Sequence, residues 1–174
     1  MEIRNAAKED LEFIMRVEEN SFIPNIQETW QIFSSRIDAF ADGFFVLVDD
    51  KGVVQGYLSS EIWEELPHDN KVFILDHDIH KVHKKEGSVL YMSSFALMPA
   101  LRGRKLGKPF LKRCMEIIMK AHPNIKNAVL IVSQGWESAI HIYETLGFKT
   151  IRRIPGFFAS ETIPGGADGI VMWK

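Results

Sequence analysis

The chain has 174 residues, 46% of them hydrophobic, enough for one sizeable core in a single domain spanning 1–174. Its formal net charge of −2 argues against a general nucleic-acid binder. No apolar run approaches the roughly 18 residues of a membrane helix, the start MEIRNAAKEDLEF is too polar for a secretion signal, and the lone Cys114 permits no intrachain disulfide; a soluble cytoplasmic protein without membrane or nucleic-acid partners is expected.

In chain order, Glu2 to Asn5 reads as a short edge strand. Leu11, Ile14, Met15, Val17 and Glu18 follow a helical pattern that breaks near Pro24. Glu28 to Phe40, with Trp30, Ile32, Phe33, Ile37 and Phe40, predicts a second helix. The period then changes: GFFVLVDDKGVVQGYLSSEIW holds two β-rich runs around Asp50-Lys51-Gly52, a hairpin signal. GSVLYMSSFALMP predicts a strand ended by Pro99, and KNAVLIVS one buried on both faces. SAIHIYETLGF predicts a short helix stopped by Gly147. GFKTIRRI and DGIVMWK close the chain as strands. The sum is an α/β protein with a mixed sheet of six to seven strands and about four flanking helices.

One stretch carries chemistry. LMPALRGRKLGKPFLKRCMEIIM runs from Leu97 to Met119, and Leu106, Phe110, Leu111, Cys114, Ile117, Ile118 and Ala121 share one face of a predicted helix. The turn before it holds Gly103 and Gly107 with Arg102, Arg104, Lys105 and Lys108. Backbone N–H groups at a helix start lack internal partners, and the helix dipole adds partial positive charge. With the four cations, this suits a phosphate or pyrophosphate. A solvated basic turn capping a core helix is the plainer alternative. The Walker pattern fails by one residue of glycine spacing and by Pro109 in place of a hydroxyl residue, and G-x-G-x-x-G is absent.

With these residues in view, the chain resembles the GNAT superfamily of acetyl-coenzyme A-dependent N-acetyltransferases. The likeness follows element order along nearly the whole chain and is sharpest in SSFALMPALRGRKLGKPFL and SAIHIYETLGFKTIRRI. The family's loop signature Q/R-x-x-G-x-G/A falls on Arg102-Gly103-Arg104-Lys105-Leu106-Gly107, with Lys105 in place of the first signature glycine. YETLGF, Tyr143 to Phe148, matches Y-E-x-L-G-F. The residue seven before Tyr143, often asparagine in the family, is Trp136.

The resemblance implies a mechanism. The fourth strand splays from the fifth, and the backbone of Phe95, Ala96 and Leu97 would hold the pantetheine arm in the gap as an added strand would be held. One N–H there would polarise the thioester carbonyl. The loop, including Leu106, would hold the pyrophosphate. The amine attacks directly, and Tyr143, at the family's acid position, would protonate the leaving thiolate. No metal is needed. The amine acceptor, a small molecule or a peptide, stays open, and dimers are frequent in the family. A non-catalytic acyl-coenzyme A-binding module on the same fold is the alternative function.

The base is open too. In the arylalkylamine N-acetyltransferase branch two histidines stand where this chain has Tyr91 and Ser93, neither a ready base. A water wire to Glu61, Asp76, His77 or Asp78 could substitute. LDHDIHKVHKK also admits a metal reading through Asp76, His77, Asp78, His80 and His83, against a solvated polar insertion. Cys114 reads as core. Trp30, Phe33, Phe40 and Trp63 read first as core; because the second helix borders the acceptor pocket in the family, the resemblance makes Phe22, Ile23, Trp30 and Phe33, with Phe157 and Phe158 in the loop before the last strand, candidate walls of a pocket favouring an apolar body.

Overall fold

The computed structural model describes residues 1–160 and 163–174. Among the described residues seven strands form: β1 (Glu2–Asn5), β2 (Phe44–Val48), β3 (Val54–Trp63), β4 (Val89–Leu97), β5 (Asn127–Ser133), β6 (Lys149–Phe158) and β7 (Ala167–Trp173). They join one sheet in the order β1-β2-β3-β4-β5-β7-β6. Among these strands the central β4–β5 pair is parallel and every other pair antiparallel. The mixed α/β sheet is therefore the one expected.

The helices are α1 (Leu11–Ser21), α2 (Trp30–Ala39), α3 (Ile79–Val82), α4 (Gly107–Ala121) and α5 (Glu137–Thr145). Four were anticipated. The fifth, α3, is a single turn inside the polar insertion, started by Asp78, whose Oδ1 accepts the His80 N–H at 3.1 Å, and pinned by buried Ile79. Helix α2 begins two residues late because Thr29 caps it through Ile32 N–H and Glu28 turns its side chain inward to Arg36. Strand β6 runs on through Phe157 and Phe158, which were expected in a loop. Pro155-Gly156 absorbs a shift in register there, Gly156 at φ 62 and its N–H held by Asp168 Oδ1 at 2.8 Å, so that Phe158 pairs with Ala167.

The apolar stripes decide which face each helix covers. Leu11, Ile14 and Val17 of α1, with Phe33 and Ile37 of α2, pack on Phe44, Val46, Val48, Tyr57 and Ala96. Phe110, Leu111, Cys114 and Ile118 of α4 pack on the other face, against Phe45, Leu47, Leu58, Ile62, Leu90 and Leu130. Burying such side chains stabilises the fold by about 1.5–3 kcal/mol each.

The sheet opens at its centre. β4 pairs with β5 only through Val89↔Asn127, Leu90↔Ala128 and Tyr91↔Val129. Just beyond, Ser94 faces Ser59 while Met92 faces Ser60, so Ser93 is an extra residue in β4. A bulge bends its strand and increases its twist. Here it does so where β4 leaves β5, freeing peptide groups of Met92 to Leu97 on one side and of Leu130 to Ser133 on the other.

Candidate active site

The basic turn sits at the mouth of this opening. Arg102 N–H is bonded to Pro99 O at 3.0 Å and Arg104 N–H to Leu101 O at 3.2 Å, so those two donors are spent within the turn. Among the described residues, the N–H groups of Gly103, Lys105, Leu106, Gly107 and Lys108 have no partner. Gly103 and Lys105 both adopt left-handed backbone, at φ 75 and 59. That explains why the signature carries glycine where this chain has Lys105: a side chain there costs about 1–2 kcal/mol of strain. The cost to Lys105 leaves its N–H in place as a donor.

Gly107 is the meeting point of the elements. A methyl group on it would lie 3.1 Å from Ile142 Cδ1 and 3.7 Å from both Leu97 Cδ1 and Phe95 Cζ. The end of β4, the start of α4 and the helix bearing Tyr143 thus converge on one atom position. Phe95 also packs on Phe110, Ala96 is buried, and Leu97 O accepts a hydrogen bond from Ser21 Oγ at 3.2 Å, which fastens the end of α1 beside the opening.

Tyr143 is 9% exposed, its ring edge-on to Phe148. Its hydroxyl has no hydrogen-bond partner among the described residues. Burial pushes its phenol further above the ordinary range, so it keeps its proton at any physiological pH. Cys114 is fully buried and its thiol is likewise pushed up, the behaviour of a core residue.

Aromatic rings span the opening. Phe22, next to the anchored Ser21, lies 5.7 Å from Trp136, which follows β5 by three residues. Trp136 in turn lies 5.8 Å from Phe158, and Phe158 5.1 Å from Phe157. Three of the anticipated wall residues do not join them. Phe33 is wholly buried between Phe44 and Tyr57, where α2 packs on the sheet. Trp30 and Ile23 are exposed, and Trp30 lines a hollow between α1 and α2 with Phe13 and Met15 instead.

The proposed base candidates separate. Glu61 is 0% exposed; its Oε1 accepts from Trp63 Nε1 at 2.6 Å and His77 Nε2 at 2.8 Å. Burial opposes charge on His77, but the Glu61 carboxylate and the Ile74 carbonyl at Nδ1 outweigh it and hold the imidazole above its usual range. Asp78 caps α3, and Asp76 N–H reaches Glu28 Oε2. His83 Nδ1 accepts Ile62 N–H at 3.1 Å. The side chains of His77, Asp78 and His83 thus take different partners, and among the described residues no three His, Cys, Asp or Glu side chains gather to hold an ion. Also among the described residues, no helix is long and apolar enough to cross a membrane.

A buried group escaped the sequence reading. Glu18, Glu28 and Arg36 lie beneath the opening with Tyr57, linked through the Glu28 N–H to Glu18 Oε1 at 2.8 Å and Arg36 to Glu28 at 2.6 Å. The available signal was a carboxylate at Glu18 on the same helical stripe as Leu11 and Ile14.

Known proteins place this geometry. The loading GNATL domain of CurA from Lyngbya majuscula superposes with a TM-score of 0.80 at 14% identity, over 99% of this chain and 96% of that one. The GphF GNAT-like decarboxylase in complex with isobutyryl-CoA gives 0.79 at 16%, over 99% and 98%. The ribosomal-protein-S18-alanine N-acetyltransferase from Escherichia coli gives 0.71 at 16%, over 99% and 91%. No curated protein matches the sequence. The profile of the acetyltransferase (GNAT) family matches residues 8–148, most of the chain. The fold with its split sheet is thus the one these structures share, and the chain belongs to the acetyltransferase (GNAT) family.

Proposed function

We propose that the protein transfers acetyl from acetyl-coenzyme A to a primary amine with an apolar body. The observation that carries this reading is the convergence at Gly107, where the unpaired end of β4, the free donors of the α4 turn and the Tyr143 helix come together. The free N–H groups of Gly103 and of Lys105 to Lys108 would take the pyrophosphate, with Arg102 and Arg104 contributing side-chain charge. The open edge of β4 would hold the pantetheine amides as a neighbouring strand is held, and an N–H among Phe95 to Leu97 would draw electron density from the thioester carbonyl. The amine adds to that carbonyl, the carbon–sulfur bond breaks, Tyr143 protonates the thiolate, and the proton shed by the new amide nitrogen restores the tyrosyl hydroxyl. Its isolated, neutral hydroxyl suits that task.

The rings of Phe22, Trp136, Phe157 and Phe158 support the apolar acceptor. GphF holds isobutyryl-CoA on this fold and is a decarboxylase, so acyl-coenzyme A recognition is common ground while the chemistry is set by the site. Incubation with acetyl-coenzyme A and a panel of primary amines, with detection of free thiol, tests the reading. Amine-dependent thiol release, strongest for arylalkyl and alkyl amines, is expected. Coenzyme A binding without thiol release would leave the non-catalytic binding module instead.

A further inference from the structure

A buried hydrogen-bonded chain runs from α1 to the opening in the sheet. Glu18 is 1% exposed, and its Oε2 accepts a hydrogen bond from the Tyr57 hydroxyl. The Tyr57 oxygen lies 2.7 Å from Ser94 Oγ. Ser94 is half-buried and sits at the bulge, immediately before Phe95. One end of the chain is a carboxylate sealed from water; the other is a hydroxyl beside the strand segment that would hold the thioester.

The surroundings of Glu18 favour a proton that comes and goes. Burial pushes its carboxyl up to about 7; the Tyr57 hydroxyl and the Glu28 N–H act the other way, the Glu28 carboxylate raises it further, and Arg36 of α2 partly offsets that. Tyr57 from β3, Ser94 from β4, and Glu28 and Arg36 from the loop and helix of α2 are the polar groups around it. Burial and the Glu18 charge disfavour a phenolate at Tyr57, so a proton crosses that hydroxyl in one concerted movement and does not rest there. Among the described residues, no other carboxylate is hydrogen-bonded to this chain of hydroxyls; Glu61 is held by Trp63 and His77.

Resting on the acetyltransferase reading above, we infer that Glu18 is the terminal proton acceptor for the acceptor amine, reached through Ser94 and Tyr57. One ammonium proton passes to Ser94 Oγ, the Ser94 proton to Tyr57 Oη, and the Tyr57 proton to Glu18 Oε2. The ammonium becomes a free amine with its lone pair available, and the carboxylate becomes a carboxylic acid. After acyl transfer the relay runs backward and releases the proton to solvent. Glu18 touches no substrate; it acts through the two hydroxyls.

The test is the pH profile of kcat/KM for full-length wild type, Glu18→Gln and Tyr57→Phe, with coenzyme A-induced thermal shift measured on each. Wild type should show an acidic limb inflecting near 7. Glu18→Gln can still accept the Glu28 N–H, so it should keep the coenzyme A shift. At neutral pH it should lose about 10²–10⁴-fold in rate. It should lose the acidic limb and recover toward wild type at alkaline pH, where the amine is already neutral. Tyr57→Phe, which interrupts the chain while filling the same volume, should give the same profile. A purely structural carboxylate would lower the melting temperature and leave the limb in place. A wild-type rate and limb in Glu18→Gln overturns the relay, as does an equal loss at every pH together with loss of the coenzyme A shift. Should Glu18→Gln fail to fold, a retained limb in Tyr57→Phe overturns it alone. Wild type that releases no thiol with any amine overturns the acetyltransferase reading itself, and the relay with it.

Discussion

Lys105→Gly tests the backbone of the phosphate turn without touching the core. Lys105 is exposed, stands at φ 59, and has no hydrogen-bond or ion-pair partner among the described residues. Left-handed backbone costs a non-glycine residue about 1–2 kcal/mol. Glycine removes that strain and returns about 0.5–1 kcal/mol through its freer unfolded chain. The net expectation is a gain of about 0.5–1 kcal/mol, or roughly 1–4 °C in Tm for a chain of this size. Gly103→Ala supplies the converse. Its φ is 75 and a methyl group there meets nothing within 4 Å, so any loss is backbone strain without a clash. Coenzyme A affinity should change little in Lys105→Gly, because the N–H remains; an exposed ammonium contributes no more than about 1 kcal/mol, roughly fivefold in Kd. Differential scanning fluorimetry with and without coenzyme A measures both quantities. A fall in Tm for Lys105→Gly would show that the residue is not held left-handed. A loss of coenzyme A affinity well beyond fivefold would show that the ammonium, not the backbone, is the recognition element.

Tyr143→Phe should slow turnover about 10²–10⁴-fold with Tm nearly unchanged, since the hydroxyl has no partner to lose; normal turnover would end the general-acid assignment. Glu28→Ala should destabilise by about 3–5 kcal/mol, because it strands the buried Arg36 guanidinium, whose Nε and Nη1 have no partner among the described residues; urea unfolding checks it, and a loss under 1 kcal/mol would be inconsistent with that burial. Glu18 gives stability a pH signature. Its folded-state pKa is raised from 4.5 to about 7, so its contribution is fully present below 4.5 and is lost as pH rises through about 7. Urea midpoints across that window should fall more steeply with pH in wild type than in Glu18→Gln.

What could be read from the sequence followed locality. Two β-rich runs around Asp50-Lys51-Gly52 marked the hairpin in GFFVLVDDKGVVQGYLSSEIW, and the structure turns it at Gly52, φ 78, with Asp49 Oδ1 accepting the Lys51 and Val53 N–H groups. The glycine–cation turn before an amphipathic segment placed the start of α4. Gly147, at φ 93, ends α5 as expected. The Glu18–Tyr57–Ser94 chain was not legible, because its members lie 39 and 37 residues apart and meet only when α1 settles on the sheet. Phe33 and Trp30 part for a related reason: they stand one turn apart on nearly the same face of α2, but the sheet covers Phe33, which is core, while Trp30, the first residue of the helix, lies past its edge in solvent, and periodicity does not say how far along a helix the sheet reaches. Gly107 changes meaning most. Its missing side chain makes room for Ile142, Leu97 and Phe95, so Gly107→Val would disturb helix packing as well as any phosphate contact.

Acyl transfer to an amine where β4, the α4 turn and the Tyr143 helix converge can be observed through its product. The most direct measurement is mass spectrometry of a primary arylalkylamine after incubation with isotope-labelled acetyl-coenzyme A and either wild type or Tyr143→Phe. The account predicts labelled amide and equimolar free thiol with wild type, and a rate reduced by about two orders of magnitude or more with the variant. Thiol released without labelled amide, or labelled amide formed equally fast by both proteins, would contradict it.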